Sequence, residues 1–87
     1  MEATVEIALY PLRPDYKDYI KDFIKALRSH EGIQVEVNPT ATHLYGDYDL
    51  IFDVLKTEMK RAIEKHQQSV FVLKIIGSNL QGSAKGL

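Results

Sequence analysis

Cysteine and tryptophan are absent from these 87 residues, and only three prolines and five glycines interrupt the chain. Without cysteine there are no disulfides, no thiolate metal sites and no cysteine nucleophile. The same absence excludes the small copper carriers that use paired cysteines. The three histidines, His30, His43 and His66, show no HxH or HxxxH spacing, so no metal site is expected. A surplus of one charge is also missing: 11 basic and 12 acidic residues leave a net −1. That balance argues against a dedicated nucleic-acid binder, which carries a basic excess on one face. No apolar run approaches the ~18–20 residues that cross a bilayer, so no membrane insertion is expected. The opening Met1-Glu2-Ala3-Thr4 has no signal-peptide organisation, and the expected setting is the cytoplasm.

What is present is ordinary for a globular chain: 45% hydrophobic and 26% charged residues. At this length folding hides only about 60–65% of the chain's surface, enough for one layer of helices on one sheet. Val5, Ile7 and Leu9 alternate with Thr4, Glu6, Ala8 and Tyr10, which predicts a half-buried strand over 3–10. Pro14 suits the start of a helix, and Asp15 and Asp18 suit its positive end. Tyr16, Tyr19, Ile20, Phe23, Ile24 and Leu27 recur at three- and four-residue steps, an amphipathic stripe with Gly32 as the expected stop. Strands follow over 33–37 and 41–46. A second helical stripe comprises Ile51, Phe52, Leu55, Met59, Ala62 and Ile63, with Asp47 or Asp49 as cap. A last strand over 69–76 completes the set. The fold domain is expected to span residues 1–76, and the glycine- and serine-rich 77–87 to fray as a flexible tail.

The order β-α-β-β-α-β, with right-handed crossovers, puts both helices on one face of an antiparallel four-stranded sheet. This is an α+β, ferredoxin-like (ACT-like) sandwich with strand order 4-1-3-2. One sheet face stays free of helices, and parity gives it Glu6, Ala8, Tyr10, Gln34, Glu36, Ala41, His43, Tyr45, Val70, Val72 and Lys74. A face of that composition fits either a second subunit or a ligand held by tyrosine, histidine and a few polar anchors. A carboxylate there, Glu6 or Glu36, can accept hydrogen bonds from an aminopyrimidine. A hydrolase of acylphosphatase type would use Arg13 beside a helix N-terminus, but the glycine-rich loop is missing between Tyr10 and Tyr16. RNA recognition needs stacking aromatics with a basic third strand, and Ala41–Gly46 has no lysine or arginine.

Two stretches carry a resemblance. Val5-Glu-Ile-Ala-Leu-Tyr-Pro-Leu12 and Val35-Glu-Val-Asn-Pro-Thr-Ala-Thr-His-Leu-Tyr-Gly46 resemble the thiamine- and hydroxymethylpyrimidine-binding proteins related to YkoF, as does the following Asp-Tyr-Asp-Leu-Ile-Phe. The likeness covers most of residues 3–76. It implies ferredoxin-like repeats, a non-catalytic role in binding thiamine or its pyrimidine precursor, and a link to an uptake transporter. It also implies Tyr10 and Thr42 at characteristic positions of the site. The chain departs in having one repeat instead of two in tandem, and Ala8 and Ala41 in place of small hydroxyl residues. A single repeat implies a homo-oligomer, dimer or tetramer, to rebuild the two-repeat body. The expected ligand anchors are Glu6, Tyr10, Glu36, Thr40, Thr42, His43 and Tyr45, with Tyr10 and Tyr45 stacking on the ligand and no cofactor. The alternative is a ligand-free assembly module whose open face is consumed by the oligomer.

Overall fold

In the computed structural model, which describes residues 1–86, the alternating segments become β1 (Glu2–Pro11), β2 (Ile33–Val37), β3 (Thr42–Asp47) and β4 (Ser69–Ile76). The two stripes become α1 (Tyr16–Arg28) and α2 (Tyr48–His66). The sheet order β2-β3-β1-β4 is the expected 4-1-3-2 read from the other edge, and every pairing is antiparallel. This is the ferredoxin-like α+β fold.

Residue parity sets which side of the sheet becomes core. Ala3, Val5, Ile7 and Leu9 of β1 and Leu44 of β3 meet Phe23 and Leu27 of α1 and Ile51, Val54 and Leu55 of α2. Each such large aliphatic side chain contributes about 1.5–3 kcal/mol through burial. Truncating one, Leu55 for instance, is expected to cost about 2–5 kcal/mol.

The termini of the helices differ in part from expectation. Asp47 caps α2, its carboxylate accepting from the Leu50 amide at 3.1 Å. Met1 adds a second anchor there, its amino group 3.4 Å from the same carboxylate. Together these hold the Asp47 carboxyl below its ordinary range, the Leu50 amide being the larger cause. Gly32 is not the stop of α1. That helix ends at Ser29, whose amide and that of His30 turn back to Ala26 and Leu27 in a tightened last turn. Gly32 instead turns the chain into β2 with φ +88°, and a Cβ there would lie 2.7 Å from Leu50.

The expectation of a frayed tail meets a different arrangement in residues 78–86, while Leu87 lies outside the described residues. The Thr4 hydroxyl donates to the Ser78 carbonyl at 2.8 Å and accepts from the Leu80 amide at 2.9 Å. Asn79 donates to Glu2 at 3.0 Å. A 3₁₀ turn over Ser83–Gly86 follows. The segment runs as a strap over one part of the helix-free face. One buried hydroxyl supplies both an acceptor and a donor to its backbone.

Candidate functional site

The register fixes where each candidate side chain falls. On the helix-free face Glu36, His43, Glu6 and Lys74 form one row across the four strands, and Gln34, Tyr45, Thr4 and Ile76 form the next. Beyond Glu6 the rows turn apolar, with Ala8 beside Val72 and Tyr10 beside Val70.

In the polar row Asn38 lies 2.7 Å from His43 Nδ1, and His43 Nε2 lies 3.4 Å from Glu6. Lys74 approaches the other Glu6 oxygen at 3.4 Å. With the Asn38 amide donating to Nδ1, His43 holds its proton on Nε2 and turns it toward Glu6. Glu6 thus already has two partners. Glu36 is exposed and takes part in no ion pair among the described residues. The Tyr45 ring lies nearly parallel to that of His43, 12° apart with centroids at 6.2 Å. The strap leaves Tyr45 only 6% exposed. Burial pushes its phenol above the ordinary 10.0, and the Glu36 charge adds to the effect.

The seven expected anchors do not converge on one site. Tyr10 lies six residues along β1 from Thr4, the partner of Tyr45. At the rise of an antiparallel strand that is about 20 Å, far too great for both rings to clasp one pyrimidine. Thr42 faces the helices, paired with Ile7 and buried. The chain instead brings the anchors together in three groups. Glu36, His43 and Tyr45 border a cavity of about 460 Å³ beneath the strap, shared with Thr4, Asn38 and Lys85. Tyr10 and Thr40 border a cleft of about 450 Å³ at the sheet end, with Leu12, Arg13, Tyr16 and Pro39. Thr40 and Thr42 border an adjoining recess of about 340 Å³ that reaches Ile7, Ala8 and Phe23. Glu6 lines none of these cavities. Arg13 pairs with Asp15 at 3.5 Å and lies over the Tyr19 ring.

The loop-end cleft and its recess adjoin, sharing Leu9, Ile20, Pro39 and Thr40 in their walls. The β1 exit builds one wall: Pro11 and Pro14 end the extended run, leaving Tyr10, Leu12 and Tyr16 around the opening. The β2–β3 hairpin builds the other, closed by the Asn38 amide donating to the Ala41 carbonyl at 2.9 Å. The lining is mostly carbon, with the hydroxyls of Thr40, Thr42, Tyr10 and Tyr16 as polar points. Carbon walls with a few polar points are the usual composition of small-molecule sites.

Comparison with family models matches residues 2–80 to the YkoF-related family. The chain belongs to that family. No curated protein matches it. Solved structures similar to this YkoF-related chain include a Thermotoga maritima protein provisionally named for thiamine biosynthesis or salvage, 23% identical, with a TM-score of 0.86 over 99% of this chain and 98% of that one. A Streptococcus pneumoniae protein is also 23% identical, with a TM-score of 0.84 over 99% and 97% of the two chains. A Methanocaldococcus protein, again 23% identical, gives 0.81 over 98% and 94%. At that identity these neighbours establish the fold.

Two polar groups in the helix layer have no sequence signal except their place within an apolar stripe. Glu58, 3% exposed, lies 2.7 Å from His30 and 3.0 Å from Arg61. His66, also buried, stacks on Tyr19. A carboxylate at 58 stays buried because its partners come from the α1–β2 turn and from its own helix, one turn on. Its replacement by alanine leaves His30 without its partner.

Proposed function

We propose that this YkoF-related protein is a non-catalytic binding protein for thiamine or its hydroxymethylpyrimidine precursor, working in the cytoplasm as a homo-oligomer. One observation carries the reading: the two stretches that carry the resemblance, 5–12 and 35–46, are distant in sequence yet line one cleft and its adjoining recess. The family match and the name of the Thermotoga neighbour support the ligand class. In this reading the pyrimidine lies against Tyr10, Leu12 and Ile20, and Thr40 and Thr42 hydrogen-bond its ring nitrogens or amino group. Glu6 and Glu36 lie on the helix-free face and serve other purposes than holding this ring. The apolar rows Ala8–Val72 and Tyr10–Val70 are the part of the sheet a second copy covers. Tyr10 then borders both the ligand and the partner.

Isothermal titration with thiamine and with hydroxymethylpyrimidine tests the proposal. Saturating ligand, about 100 times its Kd, raises stability by about 2.7 kcal/mol, visible as a rise in melting temperature. No heat and no thermal shift at millimolar ligand rejects it and leaves the assembly-module reading, which the exposed Tyr10, Val70 and Val72 favour.

A further inference from the structure

The cavity beneath the strap lies apart from the loop-end cleft and has a chemistry of its own. Its floor is the sheet, with Tyr45, His43, Glu36, Asn38 and Ile76; its roof is the strap, with Leu80 and Gly82–Lys85. The floor carries a carboxylate, Glu36, and the roof an ammonium, Lys85, and neither joins an ion pair among the described residues. Two opposite charges that face one cavity without meeting leave room for a molecule bearing the complementary pair.

Tyr45 adds a second, independent sign. More than nine-tenths buried, it borders the cavity, yet its hydroxyl makes no hydrogen bond among the described residues. That oxygen still reaches solvent, because Ser69 Oγ alone among the described side-chain atoms is fully buried without a partner, so the Tyr45 hydroxyl is available to a ligand atom. Most of the other polar side chains around the site are occupied, the Ser83 hydroxyl excepted. Thr4 is spent on the strap, and Asn38 on His43. Lys74 and Glu6 pair in the neighbouring row. Ile76 and Leu80 supply an apolar strip between the charged ends.

We propose that the strap-covered cavity binds a small zwitterion of the α-amino-acid class with an apolar side chain. Its ammonium meets Glu36, its carboxylate meets Lys85 and the Tyr45 hydroxyl, and its side chain lies on Ile76 and Leu80. The strap is then half of the site, and Thr4 holds it over the ligand.

The test uses the full chain, ¹⁵N-labelled, titrated with leucine to about 50 mM, a range that reveals millimolar binding. Isoamylamine and 4-methylpentanoate, each lacking one of the two charges, serve as comparisons. The proposal expects leucine to move the amides of Glu36, Tyr45 and residues 80–85, and both analogues to move them far less. Glu36→Gln and Lys85→Met should each weaken leucine about threefold, as loss of an exposed charge contact does. Tyr45→Phe should weaken it about fivefold. Glu36 and Lys85 are exposed, so these variants keep the fold, and an unchanged melting temperature verifies it. Failure of leucine to move those amides overturns the proposal. Equal binding of the single-charge analogues, or unaltered leucine binding in the Glu36→Gln/Lys85→Met double variant, does so too. Because the loop-end cleft contributes none of these amides, a thiamine titration can succeed or fail independently.

Discussion

The two halves of the helix-free face share strands, backbone and parity, yet they are finished in different ways. Around Thr4, Tyr45 and Ile76 the chain covers itself with residues 78–86. Around Ala8, Tyr10, Val70 and Val72 it provides no cover, and Tyr10 and Val72 are each about half exposed (52% and 51%). Two side chains of β1 make the difference: Thr4, which takes both hydrogen bonds of the Ser78 and Leu80 backbone, and Glu2, which accepts from Asn79. Thr4 offers a donor and an acceptor to a passing backbone, while Ala8 and Val72 offer neither. A segment without apolar periodicity is thereby held over the first half, and the second stays uncovered.

Deleting the strap after Gly77 breaks the comparison most severely. It removes both Thr4 hydrogen bonds and the cover over Tyr45 and Ile76, and should lower stability by about 3 kcal/mol. Thermal melting reads the loss. Thr4→Val isolates the hydroxyl: it keeps the shape, strands the Leu80 amide and Ser78 carbonyl, and should cost about 2 kcal/mol. In a domain of this size that is a fall of about 8–16 °C in melting temperature, with faster hydrogen exchange confined to the strap. Neither change should alter thiamine affinity, because the cleft lies at the other end of β1.

On the bare half the order of effects reverses. Tyr10→Ala should cost the single protomer less than about 1 kcal/mol, since half of its side-chain surface is already wet. Sedimentation and titration should nonetheless both respond, because Tyr10 borders the cleft and the uncovered rows. Thr40→Val separates the two roles: ligand affinity should drop about fivefold while sedimentation stays unchanged.

The smallest expected effect is one of pH. The Tyr45 phenol is raised above 10.0 by burial, with the Glu36 charge as the lesser cause. The neutral form is therefore favoured by folding. That contribution is fully present below the unfolded value and is lost as pH rises through the folded one. Stability should decline on the alkaline side beginning near pH 10, first in the strap-covered half. Tyr45→Phe should flatten that decline, as equilibrium denaturation at several pH values would measure.

Period-two alternation and three-and-four spacing made the four strands, both helices and the strand order legible, with β2 at Ile33–Val37 and β4 at Ser69–Ile76 as expected. Those patterns report burial against a single core, and this core is regular. They also assigned Glu6, His43 and Tyr45 to the helix-free face. They give the face of a residue and not its neighbours along the strand, which is why alternation groups Tyr10 with Tyr45 although about 20 Å separates their rows. The strap was illegible because its anchors are backbone groups meeting a side chain more than seventy positions away. Glu58 was illegible because a polar residue inside an apolar stripe reads as an imperfection until His30 and Arg61 are seen around it.

In the proposed function a pyrimidine enters the cleft where the β1 exit meets the β2–β3 hairpin. Following backbone amides by ¹⁵N-correlated NMR during a hydroxymethylpyrimidine titration tests this most directly. Saturable shifts clustered at Tyr10, Leu12, Thr40 and Thr42, with the strap amides still, are the predicted result. Shifts that centre on Tyr45 and residues 80–85, or a spectrum that does not change, would contradict it.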